Sequence, residues 1–443
     1  VVSEKLLQQH DKEKTVIAKN QKRRNAPLKL IIFKKCLTKP KGASMNSEKD
    51  KHDHQCPKYE PFGWQHWPEH HWMSYQFRRG LGETQEGGGS ISECFLAASR
   101  MIPGDKESWH KEWYRVAEEN RKRGDQAETN GHIETAKNCW IRAVDYYRNA
   151  EFWLPSDDPR RMETFDKCES CFQKAGRHFN PKVEKVLIPY ENGQHLHAYY
   201  LKSPRGGDKQ PVLISFGGLD SFKEELYFMV ARGAMNRGIS CLLVDGPGQG
   251  ATIRREKIYT RYDYEVPVGA CIDYLETRDD IDLSRIAVSG SSMGGYYAAR
   301  AGSCEPRLAA TISHGGNWSV YENWQNRSDD HGLVDHINWV TNSKDVHESR
   351  EKLVNFTLDG VLENMKCPYL IVHGGHDVLG VKQASKLYDY ATKMGVNVTI
   401  KFVSEEETGA DHCQHDNPTI GQEYMMDWLA DQFQIDQKAL NNA

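Results

Sequence analysis

At 443 residues the chain is long enough for two or more domains with a sizeable core, and its tyrosines, phenylalanines and tryptophans, 10% of all residues, exclude a wholly disordered protein. No apolar run approaches the roughly 20 residues that a membrane-spanning helix requires, so no membrane partner is expected. The formal charge of −4 hides an uneven distribution: residues 1–44 carry twelve Lys/Arg against three Asp/Glu (+9), and the rest carry 46 against 59 (−13).

That basic start, rich in Lys, Gln and Asn, reads as a disordered extension over residues 1–55. It resembles sequence upstream of a start at Met45 more than a nucleic-acid-binding arm, so no nucleic-acid partner is expected. Its apolar stretch, Leu30 to Phe33, is too short for a secretory core. The eleven cysteines are odd in number and follow no regular framework, which reads as reduced thiols in a cytoplasmic protein.

Residues 56–182 are expected to form a helical domain. Their first part is dense in aromatics (Trp64, Trp67, Trp72, Tyr75, Phe77) with His66, His70 and His71 interleaved. The histidine spacing lacks the companions of a zinc site and reads as a segment packed over another domain. Apolar residues then recur at helical spacing over Ser92–Met101, Lys106–Gly124, Ala127–Phe152 and Arg160–Phe179, the last opened by Asp157-Asp158-Pro159. Gly124 and Gly131 are the candidate breaks. Cys168 and Cys171 read as neighbours on one helix face.

From Val183 the rhythm is that of strands. A hairpin about Asn192-Gly193 leads into apolar runs beginning near Pro211, Ile239, Arg285, Leu308, Pro368 and Val396, most of them separated by helical stretches. Alternating β and α with apolar strands specify a mostly parallel sheet covered by helices on both faces, over residues 183–437. Residues 317–366 contain no sheet strand and are expected to form a cap over the strand ends.

The chemistry gathers at Arg285-Ile-Ala-Val-Ser-Gly-Ser-Ser-Met-Gly-Gly295, a strand, a tight turn and a helix with G-x-S-x-G at the turn. Such a turn lifts the Ser292 hydroxyl and points a helix N-terminus at developing negative charge. A serine needs a base, and the base needs an orienting carboxylate. Asp377 follows the strand Leu370–Val372, and His412 follows the last strand, so the chain order is Ser, Asp, His, the order of α/β-hydrolases. The Met293 amide is one expected oxyanion donor. Gly218, with Leu219 as the alternative, is the other, from the loop after the Pro211 strand. Gly246-Pro-Gly-Gln-Gly250 fits neither a Walker nor a dinucleotide pattern and reads as a loop shaping the pocket. No metal and no cofactor is expected.

Together, Gly217-Gly-Leu-Asp-Ser-Phe-Lys-Glu-Glu225, Asp245-Gly-Pro-Gly-Gln-Gly250, Gly290-Ser-Ser-Met-Gly-Gly295, Gly374-Gly-His-Asp377 and Asp411-His-Cys-Gln414 resemble the α/β-hydrolases that include 2,6-dihydroxypseudooxynicotine hydrolase and fungal polyketide-shortening hydrolases. Tyr147 to Phe152 and Asp158 to Arg160 resemble the helical domain that precedes the catalytic domain in that family. The resemblance implies a triad of Ser292, Asp377 and His412, and hydrolysis of a C–C bond beside a ketone in a small 1,3-dicarbonyl or acyl-aromatic substrate. Ester or thioester hydrolysis is the alternative. It also implies an acidic cap residue, with Glu322 the nearest match, beside Leu219 and Asp220 as substrate-binding residues, and it leans towards a homodimer.

Overall fold

A computed structural model describes residues 64–442. The basic extension read over residues 1–55 lies outside them.

The described chain starts with helix α1 (His71–Gly82), which aromatic density hides in the sequence. Met73 and Phe77 are buried on one face, while Trp72, Tyr75, Gln76 and Arg79 line a cavity on the other, so the helix shows no polar side to betray its period. Helices α2 (Ile91–Ala98), α3 (Lys106–Thr129), α4 (Ile133–Glu151) and α5 (Pro159–Gly176) follow. The Asp105 carboxylate caps α3 by accepting from Glu107 N–H, and Asp158 caps α5 by accepting from Arg160 N–H, with Pro159 in the first turn.

Of the two candidate breaks, Gly131 makes the turn, at φ +76°, whereas Gly124 stays inside α3. There a Cβ would stand 2.6 Å from Trp140 on α4, so Gly124 serves helix–helix approach rather than termination. Cys168 and Cys171 are both buried on α5.

Strands β1 (Glu184–Pro189), β2 (His195–Leu201), β3 (Gln210–Phe216) and β4 (Ser240–Asp245) open the sheet. A π-helical turn, Tyr227–Ala231, and helix α6 (Arg232–Asn236) join β3 to β4. Helix α7 (Glu265–Glu276), β5 (Ile281–Ser291), α8 (Met293–Cys304) and β6 (Ala310–His314) come next. The cap helices α9 (Val320–Gln325), α10 (Val334–Val340) and α11 (Val346–Lys352) stand between β6 and β7 (Tyr369–Gly374). Helix α12 (Val378–Lys393), β8 (Val398–Val403), α13 (Pro418–Gln432) and α14 (Gln437–Asn442) complete the chain.

The strand order is β1-β2-β4-β3-β5-β6-β7-β8. β1/β2 and β2/β4 pair antiparallel, and the other pairs are parallel.

Alternation along the strands divides the apolar residues between two cores. Leu213, Leu243, Ala287, Ile312 and Val372 share one core with α1, α3, α4, α5 and α13. Val212, Ile214, Val288 and Ile371 share the other with α7, α8, α12 and the cap. The helical segment is therefore packed onto one face of the sheet.

Candidate active site

Ser292 sits where β5 ends and α8 begins, at φ 58° and ψ −119°. A non-glycine residue is held there at a cost of order 1–3 kcal/mol, and tight surroundings must impose it. They do: a Cβ on Gly290 would lie 1.9 Å from Gly294 O, and one on Gly294 would lie 2.3 Å from Gly217 O.

The Ser292 hydroxyl is 2.8 Å from His412 Nε2, and His412 Nδ1 makes a short hydrogen bond to Asp377 Oδ2. With Nδ1 as the donor to the carboxylate, Nε2 is the acceptor for the serine proton. Asp377 also caps α12, accepting from Gly380 N–H at 3.0 Å. His412 lies in the loop after β8, so all three residues stand at the carboxyl ends of parallel strands.

Burial alone would lower the pKa of His412. The neighbouring Cys413 sulfur and the Asp377 carboxylate more than offset it and hold His412 well above the usual histidine range. Burial likewise opposes the Asp377 charge, but His412 and the Gly380 amide keep Asp377 well below the ordinary carboxylate range. His314, by contrast, is lowered to about 4 by burial, and its Nε2 is engaged with Gln414 Oε1. Among the described residues, one His/carboxylate group is close enough to share a cation, His373 with Asp377 and His412, and two of its members are already hydrogen-bonded in the line to Ser292.

The oxyanion loop differs from expectation in one respect. Gly218 approaches Ser292 closely, since a Cβ there would stand 3.0 Å from Ser292 Cβ, but its N–H donates to Ser221 Oγ at 3.0 Å. That amide is committed, and the alternative, Leu219, takes its place as the candidate donor beside Met293. The Gly246–Gly250 turn acts on this loop directly. Gln249 Nε2 donates to Gly217 O at 2.5 Å and Gly218 O at 3.0 Å, while Gln249 Oε1 accepts from Gly246 N–H.

A cavity of about 600 Å³ opens over Ser292. Its walls come from α1 (Trp72, Tyr75, Gln76, Arg79), the oxyanion loop (Gly218 to Ser221) and the cap (Asn317, Val320, Asn323, Trp324, Arg327, His331). Leu219 and Asp220 are on this wall, as expected, but the Asp220 carboxylate is spent on Arg79 (2.7 Å) and Arg148 (2.6 Å). Burial would raise Asp220, and the two guanidiniums hold it far below its ordinary value.

Glu322 is a correction. It is half exposed and faces α12, pairing with Lys386 at 2.8 Å and accepting from Gln383, and it does not line the cavity. On a short helix the next residue, Asn323, takes the inward position.

Helix α1 contributes site residues that sequence reasoning passed over. The Tyr75 hydroxyl donates to His412 O at 3.4 Å, and Arg78 forms a close ion pair with Asp411, so α1 grips the histidine loop on both sides. The spacing of Trp72, Tyr75, Gln76 and Arg79 is that of one helix face, but this face mixes aromatic with polar side chains and so makes no clean stripe in the sequence.

A serine on a strained strand-to-helix turn, with Asp and His following later strands of a mostly parallel sheet, defines an α/β-hydrolase. The family model for esterase FrsA-like proteins matches residues 101–326, half of the chain, and that of the prolyl oligopeptidase family matches residues 226–436. Hydrolase LUC6 of a Fusarium species is 31% identical over 365 residues, 73% of this chain and 87% of LUC6. The 20-hydroxy-prefusarin hydrolase FUS2 of Gibberella moniliformis is 36% identical over 262 residues, covering 56% of this chain and 62% of that protein. The crystal structure of 2,6-dihydroxy-pseudo-oxynicotine hydrolase superposes with a TM-score of 0.68 at 27% identity, over 79% of this chain and 95% of that one. The chain belongs to the FrsA-like family of α/β-hydrolases and is a hydrolase.

Proposed function

We propose that the enzyme hydrolyses a C–C bond beside a ketone in a small 1,3-dicarbonyl or acyl-aromatic molecule, using Ser292, His412 and Asp377. The hydrogen-bonded line from Ser292 through His412 to Asp377, at the floor of the cavity, carries the catalytic part of this reading. The choice of bond is supported by the motif resemblance and by the likeness to 2,6-dihydroxy-pseudo-oxynicotine hydrolase.

In this mechanism His412 Nε2 takes the Ser292 proton as Oγ attacks the carbonyl carbon, and the C=O electron pair moves onto oxygen beside the Met293 and Leu219 amides. Collapse re-forms C=O and expels the neighbouring carbon as an enolate. That enolate takes its proton from the His412 imidazolium, because Glu322 lies outside the cavity. His412 then deprotonates water, which attacks the acyl-enzyme, releasing a carboxylic acid and free Ser292. The helical segment, through α1, and the cap act as two separate walls of the substrate site. In the competing route His412 activates water directly while Ser292 polarises the carbonyl. Rapid-quench mass spectrometry is expected to show Ser292 carrying the acyl group; no adduct, even in slow variants, would rule out the covalent route.

Ester hydrolysis is the second reading, favoured by the esterase name of the matching family model. Turnover of aryl 1,3-diketones, abolished in Ser292→Ala, is the expected result. Turnover of nitrophenyl esters with none of the diketones would give the assignment to the esterase. A homodimer rests on resemblance alone and is measured by sedimentation.

A further inference from the structure

Among the described residues, the buried arginines pair with carboxylates: Arg78 with Asp411, Arg79 and Arg148 with Asp220 and Glu225, Arg161 and Arg254 with Glu151. Arg327, part-buried on the cavity wall just past the end of α9, has no such pair. Its Nε donates to Asn323 Oδ1 at 2.6 Å, its Nη1 donates to His331 Nε2 at 2.9 Å, and its Cζ lies 5.0 Å from the Trp324 ring centroid. Nη2 donates to nothing, and no carboxylate lies within ion-pair distance, among the described residues. Both partners are uncharged: Asn323 is an amide, and burial with Arg327 alongside lowers His331 to about 4.

Asp220 and Asp411 are neutralised by arginines, Asp377 is engaged by His412, and Arg79 is matched by Asp220 and Glu225. Among the described residues lining the cavity, Arg327 is left without a carboxylate counter-ion. Burial presses the Arg327 guanidinium towards its neutral form, with Asp377 and Tyr75 only partly opposing it. A guanidinium partly withdrawn from water in this way is stabilised when an anion meets it.

We propose that Arg327 is the specificity residue of the cavity, anchoring a substrate group whose negative charge is shared by two oxygens, a carboxylate or an ionised 1,3-dicarbonyl. The planar fork suits such a pair of oxygens in a way that a lysine would not. The proposal deepens the hydrolase reading and rests on this cavity being the substrate site.

The test uses the full chain carrying Ser292→Ala, so that nothing turns over. Calorimetric titrations compare 4-oxo-4-phenylbutanoate with its neutral methyl ester. They also compare a trifluoromethyl aryl 1,3-diketone, ionised at mildly alkaline pH, with its 2,2-dimethyl analogue, which cannot enolise.

At least one anion is expected to bind about tenfold or more tightly than its neutral counterpart, the scale of a charge-assisted hydrogen bond. Adding Arg327→Gln should erase the preference, while Arg327→Lys should retain part of it. The pair that shows the effect tells carboxylate from enolate. Equal affinities, failure of both anions to bind, or a preference undiminished in Arg327→Gln would overturn the proposal. Should Arg327→Gln not fold, the comparison in the Arg327 protein decides: an absent or salt-insensitive preference overturns the anchor. Because binding is read without turnover, the anion site and the catalytic role of Ser292 fail separately.

Discussion

His412 carries the pH dependence at the scale of single residues. In the proposed mechanism it works as a base in its neutral form, and its surroundings hold it well above 6.5. The rate, kcat/KM, should therefore climb with pH along a limb centred above 6.5. Asp377→Asn removes the nearby charge that raises His412, so the limb should move to lower pH while the rate falls roughly 10³–10⁴-fold, as the loss of an orienting carboxylate does elsewhere. A limb that stays put in stopped-flow pH profiles would mean that another group sets it.

Gln249 makes a second prediction at this scale. Its amide holds the carbonyls of Gly217 and Gly218 and so fixes where the following amides point. Gln249→Leu should lower kcat with KM little changed, by less than the roughly 10²–10³ lost with an oxyanion donor itself. A change confined to KM would place Gln249 in binding instead.

Elements differ in how much of themselves they write into the sequence. β5 and α8 were legible because an apolar strand, a glycine-flanked serine and a helix each have their own period. Asp377 and His412 were legible because each lies in the loop after a strand, in the order that follows Ser292. Helix α1 was not, since Phe77 packs into the core while Trp72 and Tyr75 face a cavity, leaving no polar stripe. Glu322 and Asn323 differ by one position on a helix of six residues, and which of them looks inward depends on how α9 seats against α12. The choice between Gly218 and Leu219 depends on backbone orientation, which side-chain identity does not encode.

Gly124 tests the element scale. Ala would gain about 1 kcal/mol in helix propensity. Its Cβ, however, would stand 2.6 Å from a fully buried Trp140 whose Nε1 is tied to Asp125 Oδ1 at 2.9 Å. Overpacking of this kind costs about 1–3 kcal/mol, so Gly124→Ala should lower the thermal midpoint. A raised midpoint would show that α3 and α4 can separate freely.

At the scale of the whole molecule, what joins the helical segment to the catalytic sheet is a buried charge network as well as an apolar core. Arg148 on α4 reaches Asp220 and Glu225 beyond β3, and Arg79 on α1 reaches the same two carboxylates. Removing one member strands opposite charges away from water, at a cost of about 3–5 kcal/mol, so Arg148→Met should lower stability by that order in urea. Adding Asp220→Asn should recover part of the loss, because a stranded carboxylate goes with it, while Arg79 keeps Glu225. The acid dependence has a definite sign. Asp220 is held below its unfolded value, so its contribution is present above about pH 4 and fades as the pH falls further. Parent and Arg148→Met should thus converge in acid. A gap that stays constant from neutral pH to about pH 3 would show that Arg148 stabilises the joint by packing over Phe152 rather than by charge.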